Sequence, residues 1–180
     1  VTLPPLQDHK AAHDGDRGPN TGGMGAYCPT PFVDAALMAE IESRILVPTV
    51  HALRRSQVPF HGVLFAGLML TPQGPKVLEF NARFGDPECE TLLALLDSSL
   101  LEIIDATVDR RLESISTPAW RDGAAVTVVM ASEGYPGAVE KGRAMRGLDE
   151  AAAVEGVTVF HAATRTADGP SAVRVAAWNT

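Results

Sequence analysis

The sequence predicts an α+β fold, with helices and one β-hairpin in residues 1–117 and a smaller β-rich domain in residues 118–180. Three observations support this division. Two apolar segments flank the turn sequence TPQGP, as in a β-hairpin. Helical periods lie before and after that hairpin. From about residue 118, short segments rich in Val and Thr alternate with Gly- and Pro-containing turns, which is typical of short strands.

Composition and charge exclude several classes of function. The 180 residues are 46% hydrophobic and 21% charged, which is ordinary for a globular protein with a real core. The net charge of −7 leaves no basic face for nucleic acid, and no apolar run approaches the ~20 residues of a membrane span. Cys28 and Cys89 have no metal-type spacing, so we expect two reduced thiols in a cytoplasmic protein. The scattered histidines show no zinc-ligand spacing.

The first part of the chain, residues 1–31, has no helical or strand period. We expect a long irregular segment there, which is uncommon in a compact domain and is usually functional or disordered. Within it, GPNTGGMGAY at 18–27 lacks both the P-loop pattern and the dinucleotide-binding pattern. Its glycines indicate either a loop whose amides cradle an anion or a tight structural turn.

A helix is predicted to begin at Ala35, capped by Asp34, and to run to about Arg55. Pro48 is expected to kink or break it, because proline lacks the N–H that the helix needs. The buried stripe consists of residues four apart, Leu37, Ile41 and Ile45.

The predicted hairpin joins strands at 60–70 and 76–84 through a turn at 71–75. Because strand residues two apart share a face, the second strand has two distinct sides. The side expected to face the core carries Leu78, Phe80, Ala82 and Phe84. The opposite side carries Val77, Glu79, Asn81 and Arg83.

The polar side of the second strand has the donor types of a phosphoryl-transfer site. Glu79 and Asn81 offer two oxygen ligands to magnesium, which takes its remaining ligands from water and substrate phosphates. Arg83 is next in the row and can contact a phosphate or carboxylate in bidentate fashion. The alternative is a solvent-facing side of a strand with mixed charge.

Asp86 as N-cap and Pro87 at the first helical position predict a helix after the hairpin, and a cap alone is enough to explain Asp86. Ser99 with Glu102 forms a capping box for the next helix. The apolar face of that next helix consists of Leu100, Ile103, Ile104 and Val108. A linker at 113–122, strands at 124–131, 156–163 and 172–178, and turns at 134–137 and 167–170 complete the chain.

Four motifs in order resemble the glycinamide ribonucleotide synthetase (phosphoribosylamine–glycine ligase) family from about residue 3 to residue 165. They are QDHK at 7–10, GPNTGGMGAYCP at 18–29, KVLEFNARFGDPE at 76–88 and VMASEGYPG at 129–137. The resemblance implies the C-terminal portion of an ATP-grasp domain followed by the family's small C-terminal domain. It also implies a ligase of purine biosynthesis, in which ATP phosphorylates glycine and the amine of 5-phosphoribosylamine attacks the glycyl phosphate.

The resemblance also implies roles for individual residues. Glu79 and Asn81 match the family's magnesium or manganese ligands, and Arg83 matches the arginine that faces the acyl phosphate. Asp86 falls where the family forms the surroundings of glycine and phosphate, and we count it with Arg83 as catalytic. The substrate-binding residues implied in the same way are Asn20, Thr21, Gly22, Gly23, Met24, Gly25 and Pro87.

The chain departs from the family in two respects. Family members are longer, so we expect the N-terminal part of the enzyme, with half of the nucleotide clamp, to be the missing partner, and the isolated chain to be inactive. The family's His-Ala-Gly-Thr and Gly-Gly-Arg-Val-Leu are replaced by His161–Thr164 and Ala172–Ala176, which predicts a diverged or truncated end. The alternative to a ligase is an interaction or regulatory module that retains the fold without the chemistry.

Overall fold

A computed structural model describes residues 1–166 and 173–175 and confirms the mixed α+β class. The contacts group the chain into two compact units. The first comprises Val1–His9 and Gly23–Val128, and the second comprises Lys10–Gly22 with the described part of Val129–Thr180. The domain boundary at 117/118 stays a prediction.

The first unit contains strands and helices in mixed order. They are β1 (Gln7–Asp8), β4 (Gly25–Cys28), α1 (Ala35–Ile41), a π-helical turn (Glu42–Leu46), α2 (Val47–Arg55), β5 (Phe65–Thr71), β6 (Gly74–Asn81), α3 (Glu88–Leu95), α4 (Leu100–Val108), a 3₁₀ turn (Leu112–Ser114) and β7 (Ala125–Val128). The second unit contains β2 (Ala11–His13), β3 (Arg17–Asn20), α5 (Leu148–Ala152), β8 (Thr164–Thr166) and β9 (Val173–Val175).

The core of the first unit lies between α3 and a three-stranded antiparallel sheet of order β1-β4-β7. The fully buried Thr91 of α3 joins the layers, because its hydroxyl is 2.7 Å from the Thr127 hydroxyl and 3.4 Å from the Ala26 carbonyl. The apolar cluster consists of Cys28, Leu92 and Leu95, with Leu3, Leu6, Trp120 and Ala125 packed against it.

The predicted N-caps of α1 and α4 are confirmed. Asp34 accepts a hydrogen bond from the Leu37 amide at 2.8 Å, and Ser99 accepts one from the Glu102 amide at 3.3 Å. The disruption predicted at Pro48 is present as the π-helical turn that separates α1 from α2. Because Pro48 has no amide to donate, the α-helical hydrogen-bond pattern cannot run through it unchanged.

The expectation of an irregular segment over residues 1–31 is wrong, since β1 to β4 all lie within it. These strands have two to four residues each, which is too short for a period of two to stand out in the sequence. β2 pairs with its neighbour β3, whereas β4 lies between β1 and β7, and β7 is distant along the chain.

The hairpin is confirmed, but its predicted bounds and faces are wrong. β5 begins at Phe65 rather than residue 60, and β6 ends at Asn81 rather than residue 84. The predicted core face is open, with Leu78 61% and Phe80 38% exposed. A bulge explains part of the error, because Gly67 pairs with Glu79 while Leu68 pairs with Val77, so the alternation breaks at Leu78. In addition, β5 and β6 pair only with each other among the described residues, so no further strand of a larger sheet lies beside either of them there.

Half of the predicted apolar face of α4 is exposed, with Ile104 44% and Val108 72% accessible, and Leu100 and Ile103 are half-buried. The one buried residue of α4 is Ala106, which lies outside the predicted face. Further along, β7 confirms the predicted strand at 124–131 and the GYPG turn is present at 134–137. The strand predicted at 156–163 is wrong. A turn closed by Val157 and Val154 at 3.1 Å, with Gly156 at φ +78°, occupies its start.

The remaining C-terminal predictions are tested only in part. The strand β9 lies inside the strand predicted at 172–178, whose other residues fall outside the described ones, as does the turn at 167–170. The short α5 has no counterpart in the prediction. Across the described ranges, none of the helices is both long and apolar enough for a membrane span.

Candidate functional site

Glu79 and Asn81 lie on one face of β6, near the end of the β5–β6 ladder. They pair with Gly67 and Phe65, and the ladder is regular between them, so both side chains project to the same side. Glu79 is exposed and Asn81 is half-buried. Gly67 makes room for the carboxylate arm, since a Cβ there would lie 3.1 Å from Glu79 Cγ. The sequence prediction missed Gly67, although a glycine within a strand is itself a signal of close approach.

This oxygen pair has the right chemistry for a hard divalent cation. A carboxylate and an amide oxygen two residues apart leave most of the coordination shell to water and phosphate, which is how magnesium is commonly bound. Within residues 1–166 and 173–175, no three His, Cys, Asp or Glu side chains converge on a point. The pair therefore fits a metal held jointly with a phosphate ligand, and its role as a ligand set stays a prediction.

Arg83 does not continue the strand row, which corrects the predicted alignment of three side chains. β6 ends at Asn81, and residues 82–83 form a bend. The Arg83 side chain is exposed, and its Nη1 donates to the Phe84 carbonyl at 2.7 Å. The direction of the guanidinium is therefore set by the loop that follows β6 rather than by strand alternation.

Asp86 is not the N-cap of α3, which corrects the second local prediction. The cap position is Pro87, and no side chain caps the helix. The Asp86 residue is exposed, whereas Pro87 is among the most deeply buried residues of the chain. A capping role therefore no longer accounts for the Asp86 carboxylate, which leaves it accessible for ligand contact.

The structure brings the glycine-rich loop (residues 20–25) and the turn at residues 85–87 together at Gly23. This residue has φ +147°, and a Cβ on it would lie 2.4 Å from Pro87 Cδ, 2.8 Å from Asp8 Oδ1 and 3.4 Å from the Asp86 carbonyl oxygen. Such distances admit only glycine. Gly23 and Pro87, which belong to two motifs distant in the sequence, thus meet at one contact point in the first unit.

The neighbouring residues Met24 and Gly25 are held by strand pairing. The Met24 amide donates to the His9 carbonyl at 2.7 Å, and the His9 amide donates to the Gly25 carbonyl at 2.9 Å. A Cβ on Gly25 would lie 2.6 Å from the Thr127 carbonyl oxygen, so β4 and β7 could not approach as they do with any other residue. The geometry at Gly25 thus has a structural cause.

The first half of the loop lies in the second unit. Thr21 donates from both its amide and its hydroxyl to the Lys10 carbonyl, at 2.8 and 2.9 Å. The Gly22 amide donates to the Tyr135 hydroxyl at 3.4 Å, and Lys10 Nζ lies 3.4 Å from the Gly22 carbonyl oxygen. Asn20, at the end of β3, is exposed. The amides of Thr21 and Gly22 therefore already donate hydrogen bonds to protein atoms. Sequence spacing did not predict Tyr135 as a neighbour of this loop.

Both cysteines are free thiols, as predicted. Burial raises the pKa of Cys28. Burial also raises the pKa of Cys89, and the negative charges of Glu90, Asp86 and Glu88 raise this pKa further. Both thiols stay protonated at neutral pH, which argues against a nucleophilic role for either.

Comparison with known proteins decides the family. The profile described as "Phosphoribosylglycinamide synthetase, ATP-grasp (A) domain" matches residues 1–89, and the profile of the C domain of the same enzyme matches residues 125–175. The chain belongs to the phosphoribosylglycinamide synthetase family. This confirms the resemblance inferred from the four motifs.

Relatives of this synthetase family are longer than the chain. The phosphoribosylamine–glycine ligase of Rhodopirellula baltica is 60% identical over 169 residues, which cover 94% of this chain and 39% of that protein. The chicken trifunctional purine biosynthetic protein adenosine-3 is 54% identical over 168 residues, covering 93% of the chain and 17% of that protein. A crystal structure of the Thermotoga maritima phosphoribosylamine–glycine ligase matches with a TM-score of 0.80 and 32% identity, covering 97% of this chain and 41% of that one.

Proposed function

We propose that this chain is part of a phosphoribosylamine–glycine ligase that joins glycine to 5-phosphoribosylamine at the expense of ATP. The observation that carries the proposal is the pair of oxygen donors, Glu79 and Asn81, on one face of β6, within the residues 1–89 that the ATP-grasp profile matches. The names of the relatives supply the reaction. The products are glycinamide ribonucleotide, ADP and phosphate.

The charges of the reaction explain why these residue types are needed. The glycine carboxylate must approach the γ-phosphate of ATP, and the two anions repel each other. A magnesium or manganese ion held by Glu79 and Asn81 would supply positive charge to the phosphate oxygens. The exposed Arg83 guanidinium adds a fixed cation that can contact the acyl phosphate in bidentate fashion.

Asp86, Pro87 and the glycine loop are assigned to the surroundings of the substrates. The accessible Asp86 carboxylate suits the ammonium group of glycine, which carries the opposite charge. Gly23 packs directly against Pro87, which supports a loop at residues 20–25 with a defined conformation. Asn20, exposed at the end of β3, remains assigned to substrate binding by the motif alone.

The N-terminal part of the same enzyme is the proposed partner, in the cytoplasm. The chain spans about 39% of the Rhodopirellula relative. The β5–β6 hairpin exposes apolar side chains that a larger sheet would bury, namely Met69, Leu70, Val77, Leu78 and Phe80. We therefore expect the 180 residues alone to show little or no ligase activity.

A chimaera tests the proposal. The 169 matching residues of the Rhodopirellula enzyme are replaced by this chain, and glycinamide ribonucleotide and phosphate are measured with glycine, 5-phosphoribosylamine and ATP. We expect turnover in the chimaera, and loss of at least about a hundredfold in Glu79→Gln, since a metal ligand is removed. Glu102→Gln, an exposed carboxylate on α4, is the matched control and should retain activity.

Two results would contradict the proposal. A well-folded chimaera without turnover would favour a non-catalytic module that kept the fold. Turnover that survives Glu79→Gln would remove Glu79 from the metal site.

A further inference from the structure

Glu88 is a buried acidic residue that the proposed function does not use. It is 4% exposed, although charged side chains are rarely buried to this extent. It begins α3, directly after the segment that carries Arg83 and Asp86. A carboxylate in this position must have polar partners to offset the loss of water, and Glu88 is not without one.

The side chain of Glu88 folds back over Gly85. A Cβ on Gly85 would lie 2.3 Å from Glu88 Oε2, 2.7 Å from Cδ and 3.1 Å from Cβ. Gly85 is itself buried, so the carboxylate packs directly on its backbone. The distances place Glu88 against the middle of the turn, between the two residues proposed to contact substrate.

The other side of the same turn is fixed as well. Pro87 is fully buried and touches Gly23, and the Cys89 amide donates to the Gly85 carbonyl at 3.1 Å. The turn thus rests on Gly23 through Pro87 and on Glu88 through Gly85. Neither contact involves the exposed side chains of Arg83 and Asp86. The position of both side chains therefore depends on the backbone of this turn.

We propose that Glu88 is a positioning residue whose buried carboxylate, packed on Gly85, holds the turn that presents Arg83 and Asp86 to substrate. That Arg83 and Asp86 contact substrate rests on the proposed function. The packing itself does not depend on that function. Glu88 is expected to contact neither glycine nor phosphate.

Amide hydrogen exchange in the 180-residue chain tests the packing without requiring activity. We expect Glu88→Ala to speed exchange at residues 83–86 by about tenfold or more, because the turn loses its support, while α4 changes less than about twofold. Glu88→Gln, which keeps the shape, should give a smaller increase. Glu102→Ala is the matched control, since Glu102 also lies in the first turn of a helix but is exposed.

A double-mutant cycle sharpens the test. Gly85→Ala forces a methyl group onto the Glu88 carboxylate and should also speed exchange at 83–86. In a Glu88→Ala background, most of the clashing atoms are gone, so the additional effect of Gly85→Ala should be at least about threefold smaller. Additive effects, unchanged exchange at 83–86, or an equal increase in every helix would each overturn the proposal.

Kinetics of the chimaera supply the functional readout. We expect Glu88→Ala to raise the KM for glycine about tenfold or more while the KM for ATP changes little, a split that mere loss of folded protein would not produce. An unchanged KM for glycine in an active chimaera contradicts the positioning role. An inactive parent chimaera counts against the proposed function, and the exchange experiment then still decides whether Glu88 holds the turn.

Discussion

Gly23→Ala is the substitution that most directly probes the contact between the glycine-rich loop (residues 20–25) and the turn at residues 85–87. The new methyl group would lie 2.4 Å from Pro87 Cδ and 2.8 Å from Asp8 Oδ1, in a backbone conformation with φ +147°. Pro87 is fully buried, so it has no open space into which to move. Relief therefore requires β4 and the turn before α3 to separate.

The expected cost has two parts. An alanine held at such a φ costs about 1–3 kcal/mol, and a methyl group forced into a packed site costs about another 1–3 kcal/mol. Their sum, roughly 2–6 kcal/mol, is a large fraction of the ~5–15 kcal/mol that stabilises a typical protein. For a chain of this length, a loss of about 4 kcal/mol lowers Tm by roughly 8–16 °C.

Urea unfolding of the parent chain and two variants measures these parts separately. Gly123→Ala is the matched control, because Gly123 has φ +125° but a methyl group added to it would meet no atom within 4 Å. It should cost only the backbone strain, about 1–3 kcal/mol. If Gly23→Ala and Gly123→Ala lower the free energy of unfolding equally, the contact with Pro87 does not hold the loop and the reasoning is refuted.

Two further predictions concern stability. Arg110 follows α4 at φ +58°, and the Arg111 amide donates to the Ala106 carbonyl at 2.8 Å, which is a helix end that glycine suits best. Arg110→Gly should therefore raise the free energy of unfolding by about 0.5–1 kcal/mol. An unchanged free energy of unfolding in urea titration would contradict this prediction. Burial raises the pKa of Cys28 in the folded state, so its contribution to stability is full below the pKa of the unfolded thiol and is lost as pH rises through the folded pKa. Unfolding measured between about pH 6.5 and about pH 10.5, two units on either side of the ordinary thiol pKa of about 8.5, should show a free energy of unfolding that declines with pH. Cys28→Ala should make this decline shallower, and an unchanged slope would be the contrary result.

Local signals predicted the helices well. Asp34 and Ser99 accept hydrogen bonds from amides three residues on, and the sequence around each contains the whole interaction. Asp86 has the same local signal, yet it is not the cap. The cap position is Pro87, which packs against Gly23, a residue so distant along the chain that no local pattern contains the contact.

The hairpin shows why faces were harder to predict than strands. Period two correctly placed Glu79 and Asn81 on one side, because the ladder is regular between them. A bulge beside Gly67 and the early end of β6 removed Leu78 and Arg83 from the positions that the same period gave them. Both effects depend on the partner strand and the following turn, which a pattern within one strand does not contain.

For Gly23, Gly67 and Glu88, the sequence does not contain the contacts that give each residue its structural role. The requirement for glycine at Gly23 and at Gly67 arises from atoms distant along the chain or on the paired strand. Glu88 belongs to the RFGDPE motif, but an acidic residue at the start of a helix has an ordinary explanation in the helix dipole. Its burial over Gly85 is visible only in three dimensions.

Mn²⁺ titration in the presence of ATP, followed by electron paramagnetic resonance, tests most directly whether Glu79 and Asn81 bind a metal ion. In the chimaera with the Rhodopirellula enzyme, which supplies the rest of the nucleotide clamp, Glu79→Gln should weaken Mn²⁺ binding by at least about tenfold, whereas Glu102→Gln should leave it unchanged. Equal Mn²⁺ affinity in the parent chimaera and in its Glu79→Gln variant would contradict the proposed metal site.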